Sequence, residues 1–203
     1  WLDSRTYRES FDEYLEHYTL PNNASPATAD VAHPFKKLDE IWLKDLNSKL
    51  SDQAFIKHAS LQIKKRQANK QAQSLGIRFW QDVISIVEFD AKNIGYLNSL
   101  AECAEFYKQH FCKLDTAIRN LYLQFLNQDA LIQPLHDLYR EHITVMLNKW
   151  FQFWHEYKEN QTGTLQRIIN ESSVKTAIIV GDGVAYEVAE QVAAKVSNKF
   201  SIT

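Results

Sequence analysis

A glycine-flanked aspartate, Asp182, follows a short apolar run rich in β-branched residues, Lys175–Val180. Such a run predicts a buried strand, and open α/β sheets bind their ligands at the carboxyl ends of strands. A carboxylate held there is a hard oxygen donor for a divalent cation, and the flanking Gly181 and Gly183 let a ligand approach the backbone closely. Asp182 is therefore a candidate metal ligand. The competing interpretation is that it only turns the chain or caps the following helix.

A basic segment, residues 53–81, contains no acidic residue. Lysine and arginine side chains neutralise phosphates and aromatic rings stack on bases, so this segment, with Phe79 and Trp80 near its end, is a candidate nucleic-acid-binding surface. The simpler interpretation, which we favour from composition, is a solvated helix face followed by core aromatics. The basic candidates are Lys57, Lys64, Lys65, Arg66, Lys70 and Arg78.

Signatures of several other site classes are missing from the sequence. None of the seven histidines has a glutamate three residues before it, as di-iron bundles require, and HExxH is absent. GxSxG and P-loop patterns are also absent, and Gly181–Gly183 lacks the third glycine of a dinucleotide-binding fingerprint. His142 lies on the apolar side of its predicted helix and is interpreted as a core residue. The sequence alone therefore identifies no catalytic residue.

Helices are predicted to position these candidates, because only five glycines and four prolines interrupt the chain. Three of the prolines fall in Pro21–Pro34, which predicts a linker. Residues 82–90 favour strand and helix almost equally, and we choose helix; a turn is expected around Gly163. Apolar residues recur at helical steps in the remaining segments, which are Arg5–Leu20, Leu38–Leu50, a segment from Ser51 or Asp52 to Asn69, Leu97–Leu126, Leu131–Tyr157 and Val184–Lys199.

The predicted fold is mainly α, a helical bundle with long antiparallel helices followed by a C-terminal strand–loop–helix that begins an α/β domain. Residues 1–170 form the helical domain, with the linker at about 21–34, and residues 171–203 form the first β–α unit of the second domain. One strand cannot form a sheet, so its partners are expected beyond Thr203 or in another chain, or else the segment is ordered only by docking on the helices.

Composition indicates a globular, cytoplasmic protein. Of 203 residues, 45% are hydrophobic. The net charge is −2, so the overall charge of the chain favours binding to neither polyanions nor cations. Cys103 and Cys112 are nine residues apart on one predicted helix and face opposite ways, which disfavours a disulfide. No apolar run approaches the roughly 20 residues that span a bilayer, so no membrane association is expected. The first residue is Trp1, which suggests a fragment.

Two segments resemble the PglZ family, alkaline-phosphatase-superfamily proteins of BREX phage-defence systems. The first, Glu105–Phe125, resembles the family's aromatic-rich Y-x-x-I-D-x-x-Y-R helix, with matching positions at Tyr107, Leu114, Asp115 and Arg119. The second, IIVGDGVAYEVAEQV, is similar to a strand followed by S-D-A-L-R-Y-E-V-A, with matching positions at Asp182, Tyr186, Glu187, Val188 and Ala189. The likeness covers roughly residues 76–203.

The resemblance implies that Asp182 is the first metal-ligand aspartate of an alkaline-phosphatase-like site holding zinc or manganese. Residues 171–203 would then begin an incomplete catalytic domain, since the family's other ligands and its nucleophile lie downstream, and this chain alone is expected to hydrolyse nothing. Ala185 replaces the family's arginine and Gly183 its alanine, which weakens any phosphate contact there.

The function so implied is that of a fragment of a metal-dependent phosphatase or phosphodiesterase in anti-phage defence, whose helices serve as a scaffold for other BREX proteins. Two alternatives stay open. One is a non-catalytic helical interaction module, and the other is a module that binds DNA through the basic segment.

Overall fold

The computed structural model describes residues 31–32, 36–158, 160–173, 175–178 and 183–199. The predicted helix Arg5–Leu20 and nearly all of the predicted linker lie outside these residues. Within them the chain is mainly helical, as predicted, and no strand is present. No helix of this part of the chain is both long enough and apolar enough to cross a bilayer.

The α-helices run in chain order with short connections, and we number them from the first described one. They are α1 (Lys36–Asn47), α2 (Gln53–Ala68), α3 (Lys70–Ser74), α4 (Phe79–Val87), α5 (Lys92–Gly95), α6 (Leu100–Phe106), α7 (Cys112–Gln124), α8 (Asp129–Gln152), α9 (Gln161–Glu171) and α10 (Tyr186–Val196). A π-helical turn, Tyr107–Phe111, joins α6 to α7, and a 3-10 turn, Trp154–Glu156, follows α8.

Helix α2 begins where its sequence predicts. The side chain of Asp52 accepts a hydrogen bond from the backbone N–H of Phe55 at 3.0 Å, which satisfies one of the donors that a helix leaves free at its start. At the other end, Asn69 terminates α2 and caps α3 by accepting from the backbone N–H of Gln71 at 2.8 Å. The prediction of a helix that starts at Ser51 or Asp52 and runs to Asn69 is therefore confirmed, with Asp52 as the cap.

Gly76 ends α3 because the backbone there is left-handed, with φ +71°. The N–H of Ile77 donates to the carbonyl of Ala72 at 3.0 Å, the long hydrogen bond of a Schellman motif. Glycine adopts this φ without the Cβ penalty of other residues. The ambiguous segment after it is helical, as chosen from sequence, because α4 buries Trp80, Val83 and Ile86 on one side.

The described chain divides into two compact units. The first comprises the described residues up to Asp90 together with Leu114–Ile143, and the second comprises Ala91–Lys113 and the described residues from Thr144 onward. The predicted boundary between residues 170 and 171 falls inside the second unit. The core of the first unit is made by aliphatic and aromatic side chains that include Leu43, Leu46, Ile56, Ile63, Phe79, Val83, Leu121, Ile132 and Leu135.

An ion pair lies at the centre of the first unit. Arg66 of α2 donates from Nε to Asp39 Oδ1 at 3.0 Å and from Nη2 to Oδ2 at 2.8 Å, and both side chains are fully buried. Trp80 Nε1 donates to Asp39 Oδ1 at 2.8 Å, and Arg66 Nη1 donates to the carbonyl of Val31 at 2.7 Å. Charges buried in this way are stable because they are paired and hydrogen-bonded. The cluster ties α1, α2 and α4 together.

The parts of α7 and α8 that belong to the first unit, within Leu114–Ile143, pack antiparallel as predicted. The hydroxyl of Tyr139 donates to Asp115 Oδ1 at 2.9 Å, and the hydroxyl of Tyr122 lies 2.7 Å from His136 Nδ1. The earlier residue of α7, Asp115, pairs with the later residue of α8, and Tyr122 pairs with the earlier one. The two helices therefore run antiparallel. Burial, and then the charge of Asp115, raises the pKa of Tyr139, so this phenol keeps its proton and remains a donor.

The second unit contains helix starts stabilised by carboxylates and amides. The backbone N–H of Leu100, at the start of α6, donates to the carboxylate of Glu156 at 2.8 Å. Helix α9 begins at Asn160, whose side chain accepts from the N–H of Gly163 at 3.0 Å. The expected turn around Gly163 is therefore wrong, because the asparagine cap starts the helix before the glycine and places it in the first turn.

Candidate functional site

The candidate site lies around the loop that leads into α10. Asp182, the predicted metal ligand, is outside the described residues, so the prediction stays a prediction. Residues 175–178 of the predicted strand are described and have an irregular, exposed backbone, whereas residues 179–180 are not described. Gly183, three residues before α10, has φ +65°, a left-handed backbone conformation that favours glycine.

Tyr186, the first residue of α10, contacts the π-helical turn of the same unit. Its ring centroid lies 6.3 Å from that of Tyr107, with the rings at 72°, an edge-to-face contact. Tyr107 also stacks on the buried Phe111, with ring centroids 6.1 Å apart. The two segments that carry the family resemblance therefore meet at a pair of tyrosines.

Polar groups surround this contact. Lys108 Nζ lies 2.8 Å from a carboxylate oxygen of Glu105, whose hydrogen bond and charge raise the pKa of Lys108. Desolvation, and then the hydrogen bond to Glu190, raises the pKa of Tyr186. Both groups therefore keep their protons at neutral pH, so neither serves as a general base. Tyr186 thus connects the start of α10 to the π-helical turn of the same unit.

A metal centre cannot be built from the described side chains. Among them, no group of three or more histidine, cysteine, aspartate or glutamate residues is placed to hold a cation. The expected zinc or manganese therefore has no ligand cluster in this part of the chain, and we derive no chemical step through it. Cys103 and Cys112 are buried and form no disulfide.

One of the six basic candidates of the 53–81 segment, Arg66, is not available to a ligand. Arg66 is fully buried against Asp39, so its guanidinium is directed into the protein. Lys64 is exposed and pairs with Glu88, its Nζ 2.8 Å from Oε1. The others, Lys57, Lys65, Lys70 and Arg78, are exposed.

The aromatic neighbours of the basic segment belong to the core. Phe79 is 7% exposed and Trp80 is 1% exposed, and their rings pack together with centroids 4.6 Å apart. Rings buried in this way cannot stack on bases, which agrees with the interpretation as core aromatics. His142 is half-buried against Phe89 at 5.1 Å between ring centroids, and burial lowers its pKa.

Sequence reasoning missed the Asp39–Arg66–Trp80 cluster. One signal could have found it, since Asp39 stands between Leu38 and Leu43 on the buried side of α1. An acid on an apolar helix face predicts a buried basic partner. The contact between Tyr107 and Tyr186 carried no such local signal, because the two residues are far apart in sequence.

Comparison with known proteins adds no identity. No protein-family model matches the chain, and no curated protein or solved structure matches it significantly.

Proposed function

We propose that this chain is the helical scaffold and the first β–α unit of a PglZ-type, metal-dependent phosphatase or phosphodiesterase that acts in the cytoplasm in anti-phage defence. In this proposal the helices hold the Gly181–Gly183 loop in place. They also provide a docking surface for other BREX proteins.

The observation that carries this proposal is the exposed valine stripe of α10. Val188 and Val192 of α10, spaced four residues apart, are 45% and 56% exposed, and Val184, two residues before the helix begins, is 49% exposed. Side chains at this spacing lie on one face of a helix, and a β-branched apolar face of this kind is typical of helices that cover a sheet. The stripe therefore supports an α/β domain whose sheet covers α10.

The tyrosine contact supports the scaffold part of the proposal. Tyr186 joins α10 to the π-helical turn, and π-helical turns within α-helices are frequent at functional sites. Asp182 stands four residues before Tyr186 in the sequence, so a contact that fixes the start of α10 favours the proposed scaffold role. The helical part would then position the metal-binding loop without supplying ligands.

Thiol labelling tests whether a sheet covers the stripe. The variants Val188→Cys and Val192→Cys are compared in this 203-residue chain and in the protein expressed from its complete reading frame. We expect both cysteines to react with a maleimide in the short chain and to be protected in the complete protein. Lys195→Cys, at an exposed position of the same helix, is the control that stays reactive in both. Equal reactivity at Val188 and Val192 in both proteins would overturn the proposal and favour the non-catalytic interaction module.

Metal binding is tested separately in the complete protein. Zinc or manganese is expected to raise the melting temperature of the wild type, because a ligand that binds only the folded state stabilises it. Asp182→Ala should lose the effect, whereas Asp137→Ala, at an exposed position of α8, should keep it. An unchanged metal response in Asp182→Ala would remove Asp182 from the site.

Nucleic-acid binding has less support, since Arg66 is internally paired and the neighbouring aromatics are buried. A gel shift with DNA provides the test. The shift should be salt-sensitive, and Lys57→Ala and Lys65→Ala should weaken it if the chain binds DNA through this segment. If Asp182→Ala has no effect on the same shift, the result favours nucleic-acid binding.

A further inference from the structure

A cavity of about 310 Å³ lies between α1, α2 and α4 in the first unit. Trp42, Phe55 and Trp80 supply aromatic surface to its lining. This volume is at the lower end of the range for small-molecule sites, and it is too small for a folded partner. It is remote from the loop before α10 in sequence and shares no residue with the candidate site.

A buried hydrogen bond holds part of the aromatic lining in place. Trp80 is 1% exposed, and its Nε1 donates to the buried Asp39 at 2.8 Å. The ring of Trp42 lies 6.5 Å from that of Trp80, with the planes tilted by 51°. A wall fixed by a buried hydrogen bond need not be ordered again when a ligand binds, which lowers the entropic cost of binding.

The ammonium group of Lys49 lies at one corner of this cavity. Lys49 Nζ is 4.5 Å from the ring centroid of Phe55 and 2.8 Å from Asp45 Oδ1. A cation over an aromatic face is attracted by the ring quadrupole, and a neighbouring carboxylate adds a charge of the opposite sign. This corner therefore has the combination of groups that recognises organic cations.

Lys49 can leave this corner at little cost. Its side chain is 45% exposed on a flexible four-carbon stem, so its ammonium can return to water. An exposed ion pair of this kind contributes little to stability. A ligand cation whose substituents also contact the aromatic and apolar lining would gain contacts that Lys49 does not make.

We propose that this cavity binds a small alkylated ammonium ion, of the trimethylammonium class, which displaces Lys49 from Phe55 and Asp45. The methyl groups would contact Phe55 and Trp42, and the positive charge would face Asp45. Alkylation matters because the lining is mainly aromatic and aliphatic, and a bare ammonium would lose hydration there without replacing it. The free ion and a trimethylated lysine side chain share this chemistry.

Binding is measured with choline as the probe, by tryptophan fluorescence and by calorimetry, on the whole chain. We expect saturable binding of choline and none of 3,3-dimethyl-1-butanol, its uncharged isostere. Lys49→Gln should bind about threefold more tightly, because a competing cation is removed, and Phe55→Leu should bind about threefold more weakly. Asp45→Asn should also weaken binding. Lys44→Gln, on α1 and outside the lining of the cavity, should bind as the wild type does.

The sign of the Lys49→Gln effect makes the test decisive, because that residue is exposed and its loss should not unfold the protein. Circular dichroism of each variant checks the fold. Unchanged or weaker choline binding by Lys49→Gln would overturn the proposal, as would equal binding of the uncharged isostere or no saturation at millimolar choline. A trimethyllysine peptide titrated in parallel identifies the source, since tighter binding than choline indicates a protein side chain and weaker binding indicates the free ion.

Discussion

Asp39 and Arg66 form a two-point hydrogen-bonded ion pair with no exposed side-chain surface. Replacing Arg66 by methionine leaves the Asp39 carboxylate buried without its cation, which is expected to lower the free energy of unfolding by about 3–5 kcal/mol. Urea denaturation measures this change. Adding Asp39→Leu should restore part of the loss, since the buried charge is then removed as well.

The matched control for this pair is Lys64→Met. It breaks the exposed pair with Glu88 on the same helix α2 and should change the free energy of unfolding by less than about 1 kcal/mol. If Arg66→Met costs no more than Lys64→Met, the buried pair does not contribute to stability as we argue.

Gly76 should resist substitution. With φ +71°, an alanine at this position adopts a left-handed backbone at a cost of about 1–2 kcal/mol. No atom lies within 4 Å of an added Cβ, so the cost is conformational and not steric. Gly95→Ala at the end of α5 has the same open space without a positive φ, and it should be neutral or slightly stabilising. Equal melting temperatures of the two variants would contradict this account.

His142 should make stability depend on pH. Burial lowers its pKa in the folded protein. At pH values between that pKa and about 6.5, the unfolded chain therefore binds more protons than the folded chain does. The free energy of unfolding therefore falls as the pH drops through 6.5, and the loss stops below the folded-state pKa. His142→Gln should reduce this slope in denaturation curves from pH 7.5 to pH 5.

The control for His142 is Phe89→Leu, which removes the ring contact at 5.1 Å but keeps the titrating group. It should lower stability across the pH range and retain a slope of the wild-type sign. A wild-type slope in His142→Gln would assign the pH dependence to other groups.

Both native cysteines should be unreactive in the folded chain. Cys103 is fully buried and burial raises its pKa, which reduces the reactive thiolate. Cys112 is 7% exposed and its Sγ donates to the carbonyl of Lys108 at 3.0 Å. Labelling with a disulfide reagent should be slow until denaturant unfolds the chain, whereas an exposed Ser51→Cys should react at once. Immediate labelling of the wild type would show that the second unit opens readily.

Periodic local signals explain what the sequence predicted correctly. The steps of four and three from Tyr107 through Phe111, Leu114, Ile118, Leu121 and Phe125 predicted a seam on a long helix. The last five of these residues are buried, and Tyr107 is half-buried. The cap at Asp52 could also be read directly, because capping is a contact between near neighbours. The positions of helices and many of their first residues could therefore be predicted from the sequence.

Long-range contacts explain what the sequence did not reveal. Arg66 looked like part of a basic surface because its neighbours Lys64 and Lys65 are exposed, but its partner Asp39 is on another helix. The cavity beside Lys49 likewise depends on three helices meeting. Composition and residue spacing do not predict such contacts between different helices.

The π-helical turn sets the phase of the helix that contains it. The N–H of Cys112 reaches the carbonyl of Tyr107, five residues back, so one residue more than a regular α-helix needs is accommodated there. Deleting Gln109 would let the helix become regular and would rotate Tyr107 by about 100° relative to Phe111. The ring that receives Tyr186 would then point elsewhere. A single surplus residue thus fixes where α10 attaches.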